Sequence, residues 1–151
     1  MAPAAPQNLS AVASELIFTQ VALVWNAPTR DADGGELTGL SQYVVFRSKG
    51  SMNSFVAIDT VDAGVRQYTD TGLEELTTYF YAVSAIDANA NESGRTSAIS
   101  VQTSGPDQIA PQAPADLVAV AAPVAAEIML SWTPPSRDAD GSELTGLASF
   151  V

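Results

Sequence analysis

Leu23-Val24-Trp25-Asn26-Ala27-Pro28-Thr29-Arg30-Asp31-Ala32-Asp33-Gly34-Gly35-Glu36-Leu37-Thr38-Gly39-Leu40 occurs in this chain twice. Leu130-Ser131-Trp132-Thr133-Pro134-Pro135-Ser136-Arg137-Asp138-Ala139-Asp140-Gly141-Ser142-Glu143-Leu144-Thr145-Gly146-Leu147 repeats it almost letter for letter. Recurrence at a fixed offset marks a repeat architecture, in which one supersecondary unit is copied along the chain. Trp25 falls on Trp132 and Val44 on Val151, the last residue. The chain therefore reads as one whole unit followed by the opening strands of a second.

Just ahead of this stretch, and running into it, Val21, Leu23 and Trp25 alternate with Ala22, Val24 and Asn26, the period-two pattern of a strand with one buried face. Trp25 has apolar residues two and four positions before it and is expected at the centre of the core. Residues 29–42 form a long loop of Gly, Asp and Thr, over which Leu37 and Leu40 are expected to fold back onto the core. Upstream, Pro3 and Pro6 lead into a short strand at 9–12, because proline suits a strand's first residue or an edge. Downstream, strands are expected at 43–47, 55–61, 68–70, 77–87 and 97–103, separated by turns at 48–51 and 62–64 and a polar loop at 87–94. Along the longest of them Tyr79, Tyr81, Val83 and Ala85 share one face, and Phe80 and Ala82 the other. Seven short strands without a helical period read as an antiparallel sandwich.

Composition narrows the chemistry. The 151 residues suffice for one well-buried domain and part of another. There is no cysteine and no histidine, so disulfides, thiolate metal sites, a cysteine nucleophile and the commonest general base are all excluded. Six Lys plus Arg against 17 Asp plus Glu give a net charge of −11, which repels nucleic acid and anionic membrane surfaces and favours cations and basic surfaces as partners. No apolar run approaches the ~20 residues that span a bilayer, so no membrane insertion is expected. Met1-Ala2-Pro3-Ala4-Ala5-Pro6 lacks the basic start and apolar centre of a signal peptide, so a secreted parent would carry its signal elsewhere.

Residues 6–103 resemble a fibronectin type III domain, and 114–151 the first three strands of another. The resemblance is carried by Pro6 with Leu9, by Leu23-Val24-Trp25 followed by Pro28, by Tyr68-Thr69-Asp70 leading to Leu73, and by Thr77-Thr78-Tyr79-Phe80-Tyr81-Ala82-Val83-Ser84-Ala85. It implies an all-β fold, an immunoglobulin-like antiparallel β-sandwich of seven strands followed by an incomplete second repeat. Tyr79 would be the tyrosine corner, its hydroxyl bonded to backbone around residues 73–76. Glu75 stands where the family often has proline. The organisation implied is a complete domain at 1–104, a Pro-rich linker at 105–113 acting as a semi-rigid tether, and a truncated second repeat at 114–151. The loop 31–40 and the segment 85–93 are similar to bacterial members of secreted and cell-surface proteins, which mostly serve as spacers or binding modules beside other domains.

Three constellations could carry chemistry. Asp31, Asp33 and Glu36, with Asp87 and Asn89 on the loop expected at the same end of the sandwich, resemble a calcium site, since calcium takes six to eight oxygen ligands from such loops. The same residues also occur in solvated turns for backbone reasons, and their spacing departs from the full EF-hand pattern. Val44, Phe46 and Phe80 should share the outer face of one sheet as an apolar contact surface, unless loops or charged stems cover it. A carboxylate pair for glycoside hydrolysis, Glu36 with Asp87 or Glu92, lacks anything to fix its separation, and no catalytic role is expected. The reading is therefore a non-catalytic structural spacer or protein-interaction module of a tandem array in a larger extracellular or cell-surface protein. The alternative is an adhesive module binding calcium, carbohydrate or protein through the acidic loops or the aromatic face. Residues 114–151 offer Leu117, Val120, Ile128, Leu130, Trp132 and Phe150 to a core with no facing sheet, so self-association through this segment is expected besides contact with other domains of the parent.

Overall fold

Val21, Leu23 and Trp25 are buried on one face of strand β2 (Val21–Asn26), while Ala22, Val24 and Asn26 face solvent. The computed structural model describes residues 1–121, 123 and 127–145. It divides the chain into two units, Met1–Gly105 and Pro106–Val151.

In the first unit β2 lies between β1 (Gln7–Ala13) and β5 (Gln67–Asp70) in a three-stranded sheet. The facing sheet has the order β4-β3-β6-β7, formed by β3 (Leu40–Lys49), β4 (Val56–Asp62), β6 (Thr78–Asp87) and β7 (Ile99–Gln102). Every strand pairing is antiparallel. The result is the immunoglobulin-like sandwich that the alternation implies, and its core is the layer between the sheets. Val21, Leu23 and Trp25 meet Tyr43, Val45, Tyr79, Tyr81 and Val83 there. Each such side chain contributes about 1.5–3 kcal/mol on leaving water. The rings of Trp25 and Tyr43 pack edge to face, centroids 5.4 Å apart.

Strand β3 is longer than its sequence suggests and is buried without interruption from Tyr43 to Phe46. Tyr43 and Val45 enter the main core, whereas Val44 and Phe46 join Ala82 in a second cluster on the outer face. Leu40 packs against the core as expected, and Leu37 is half-buried in the loop.

Polar contacts fix how the two sheets meet. Asp70 on β5 is 4% exposed and receives Arg47 Nη1 from β3 on both carboxylate oxygens at 2.9 Å. Tyr81 on β6 donates its hydroxyl to Asp70 Oδ2 at 2.8 Å. The tyrosine corner is present, with the Glu74 N–H donating to Tyr79 Oη at 3.0 Å. Glu75 in place of proline does not prevent it, because Thr103 holds the same turn from the other side. Thr103 Oγ1 donates to the Glu74 carbonyl at 2.6 Å and accepts from the Thr77 N–H at 2.9 Å.

The second unit pairs β8 (Ala115–Ala121) with β9 (Ile128–Thr133) in a hairpin that copies β1 and β2, including the irregularity at Asn8 and Asp116, each at φ 53°. Leu117, Ile128 and Leu130 are exposed. Residues 106–112 are not a free tether. The Gln112 N–H donates to the Arg137 carbonyl, the Ala139 N–H to the Ala110 carbonyl, and Thr145 Oγ1 to Asp107 Oδ2. A chain with few donors of its own thus gains partners by lying along the second unit's loop. The expected core role of Phe150 lies outside the described residues.

Trp25→Ala should cost about 3–5 kcal/mol as a large core truncation, enough to unfold a small domain of ordinary stability. Asp70→Ala should cost a similar ~3–5 kcal/mol, because it leaves Arg47 and the Tyr81 hydroxyl without their buried acceptor. Urea melts of the two variants check both values, and a midpoint near that of the parent would contradict the placement of the residue concerned.

Candidate functional site

The loop after β2 and the loop after β6 meet at one end of the first sandwich. Leu40 pairs with Asp87, and the Ala88 N–H donates to the Gly39 carbonyl at 2.7 Å. The N-terminal segment runs beside them, the Ala4 N–H donating to the Arg30 carbonyl and the Ala32 N–H to the Ala2 carbonyl.

Within the first loop, the Gly34 N–H closes a turn onto the Asp31 carbonyl at 2.9 Å, and Gly34 takes a φ of 87° that a side chain would resist. Asp33 Oδ1 accepts from the Gly35 N–H at 2.9 Å, and Glu36 pairs through backbone with Arg30. Asp33 and Glu36 are exposed, but Asp31 is turned inward and 7% exposed, and its Oδ1 has no hydrogen-bond partner. On the second loop Asp87 is fully engaged. Its Oδ1 accepts from the Asn89 and Asn91 N–H groups at 2.9 Å, and its Oδ2 from Asn91 Nδ2 at 2.8 Å. Donation from the Asn91 amide, then from the backbone N–H groups, holds the Asp87 carboxyl below the usual carboxylate range. Asn89 contributes backbone to this turn and is itself exposed. The two loops therefore come together, yet among the described residues no three acidic side chains gather as a metal group.

The outer apolar face expected at Val44, Phe46 and Phe80 is covered at Val44 and Phe46 by a charged stem. Val44 and Phe46 are 9% and 6% exposed. The Arg95 guanidinium lies 3.8 Å over the Phe46 ring and 6.0 Å from that of Phe55, a cation–π lid over an apolar floor. Phe55 and Ile86 close its sides, and Phe80 is half-buried outside the cluster. The signal available in the sequence was the solitary arginine after Gly94, next to the strand that carries Ala82. Glu92 is likewise occupied, with Oε1 accepting from Ser84 Oγ at 2.6 Å, so it is not poised as half of a carboxylate pair. An open groove of about 390 Å³ between residues 6–9 and 96–99 is lined by Gln7, Asn8, Thr96 and Ser97 among others and holds no titratable side chain.

No family model matches the chain. Exoglucanase B of Cellulomonas fimi is 33% identical over 145 residues, which is 94% of this chain and 12% of that protein. A poly(3-hydroxybutyrate) depolymerase of Ralstonia pickettii is 34% identical over 102 residues, covering 68% of this chain and 17% of that protein. The chain thus spans no more than about a sixth of the curated relatives it matches. Among solved structures, a Fn3-like protein from Clostridium thermocellum is 31% identical with a TM-score of 0.55, over 72% of this chain and 100% of that one.

The Asp87 turn generates a pH prediction. Its carboxyl is more acidic in the folded than in the unfolded chain, so its stabilisation is present above the ordinary Asp value of about 3.9 and is lost as pH falls through the lower folded value. Asp87→Asn should melt below the parent at about pH 6, and the difference should shrink toward about pH 2.5. Thermal melts across that range check it, and a constant difference would show that the charge of Asp87 is not what the turn uses.

Proposed function

Because the chain belongs to the fibronectin type III family, we propose that it is a non-catalytic spacer module from a tandem array in a larger extracellular enzyme that degrades a polymer. The observation that carries this reading is the closed surface. Arg95 lids the outer apolar face, Asp87 is consumed by bonds within its own turn, and Glu92 by the Ser84 hydroxyl of β6. The groove between residues 6–9 and 96–99 is open and holds no titratable side chain, unlike the apolar recess with convergent polar groups that is the usual form of a small-molecule site. The match to exoglucanase B runs through both repeats, in keeping with a tandem arrangement. Both relatives are named for polymeric substrates, and polymers too large to enter a cell are attacked outside it.

Other domains of the parent are the partners in this reading. Leu117, Ile128 and Leu130 on the second unit's hairpin supply exposed apolar surface for such contacts and for self-association through 114–151.

The 151-residue chain should be recovered unbound after incubation with cellulose or poly(3-hydroxybutyrate) granules, and should release no soluble product from either. Retention on one polymer would favour the adhesive alternative. Light scattering over a concentration series should show a mass that rises above the monomer, and a constant monomer mass would remove self-association from the proposal.

A further inference from the structure

The loop that follows β2 encloses one oxygen of a carboxylate without giving it a partner, and the chain builds that loop twice. Asp31 is 7% exposed and Asp138 1% exposed, and Oδ1 of each is enclosed with no hydrogen-bond donor. The two surroundings correspond bond for bond. The Asp31 N–H donates to the Gly35 carbonyl at 3.1 Å, and the Asp138 N–H to the Ser142 carbonyl at 3.2 Å. Gly34 and Gly141 close the turn at 2.9 Å with φ of 87° and 89°. Pro3 bridges Asp31 as Pro111 bridges Asp138.

The adjacent arginines do not neutralise these carboxylates. Arg30 Nη1 donates to the Gly34 carbonyl at 2.9 Å, and Arg137 Nη1 to the Gly141 carbonyl at 2.8 Å. The ion pairs among the described residues are elsewhere, Arg47 with Asp70 and Lys49 with Glu74. Buried charges in folded proteins are paired or coordinate a metal, because an isolated carboxylate is strongly disfavoured away from water. A water molecule would supply a donor but no charge. A proton on Oδ2 would cancel the charge but leave Oδ1 an enclosed acceptor without a donor. A cation answers both demands.

We propose that Asp31 and Asp138 each anchor a divalent cation of the calcium type, one per repeat. A chain without histidine or cysteine offers only oxygen ligands, which suit a hard cation. Among the described residues no group of three acidic side chains includes either aspartate, so the rest of the shell would have to come from loop carbonyls and water. With so few carboxylates the affinity belongs in the range of about 10⁻⁴–10⁻³ M seen for extracellular modules. Asp87 and Asn89 stand outside the site, since both Asp87 oxygens are already taken by its own turn.

Equilibrium dialysis of the full chain against calcium chloride up to about 10 mM should give two ions per chain. Asp31→Asn and Asp138→Asn should each retain one, the double variant none, and Asp87→Asn both. At free calcium about ten times Kd, the folding equilibrium constant of the unit that holds the ion should rise about eleven-fold over that in chelator. If Asp31→Asn fails to fold, Asp138→Asn carries the stoichiometry test with the first sandwich unaltered. Absence of saturable calcium binding by the parent chain would overturn the proposal. So would a stoichiometry indifferent to both aspartates, or loss of binding in Asp87→Asn.

Discussion

A single carboxylate ties the two sheets of the first unit together. Asp70 sits on β5, and the groups that satisfy it, Arg47 and Tyr81, sit on β3 and β6 of the opposite sheet. Apolar burial is non-directional, so several offsets of one sheet over the other would remove similar areas from water. The Asp70 cluster accepts only one of them. Burial and the bond to Asp70 push the Tyr81 hydroxyl far up, which keeps it a donor throughout the pH range in which a protein stays folded. Arg47 also lies 5.7 Å from the Tyr79 ring, whose hydroxyl accepts from the Glu74 N–H. Sheet registry and the corner before β6 are therefore one connected structure.

How much of this was legible in the sequence follows from the range of each interaction. The alternation of Val21, Leu23 and Trp25 depends only on neighbours two residues apart, and it named both the strand and its buried face. Tyr79 was legible because its partner lies five residues away, within the same turn. The continuous burial of 43–46 was not, because a residue of β3 cannot report that Arg95, some fifty positions later, lies over its outer face. Asp70 read as the end of a short strand for the same reason, its partners lying 23 and 11 residues off on other strands. At the candidate site the sequence named the acidic residues but could not separate them. Asp31 and Asp33 are two positions apart in one motif, yet one is enclosed and the other faces solvent. That difference comes from the N-terminal segment laid across Asp31, a non-local contact.

Repetition supplies a control that a single domain lacks. The loop of the second unit has Ser142 where the first has Gly35, and the serine N–H and Oγ both donate to Asp140 Oδ1. The turn geometry survives this change, so it does not depend on glycine at that position. It depends on the residues common to both copies, namely the arginine bonded to the turn carbonyl, the glycine with positive φ and the inward aspartate. A feature rebuilt intact on two separate hairpins is a property of the motif and not an accident of one packing environment.

The cations complete the argument about what can approach this surface. Of the six Lys and Arg residues, Arg30 and Arg137 bond to turn carbonyls, Arg47 and Lys49 to carboxylates, and Arg95 to the Phe46 ring. Arg66 is the remaining one, and its charge draws the Tyr43 hydroxyl down against the stronger upward effect of burial. Positive charge is thus drawn into holding loops, sheets and an apolar lid, while most of the 17 carboxylates face outward. The resulting field is negative over distances of about the Debye length, ~8 Å in physiological salt. Such a surface repels polyanions. It favours the approach of cations over polyanions to the loop whose enclosed aspartate each repeat reproduces.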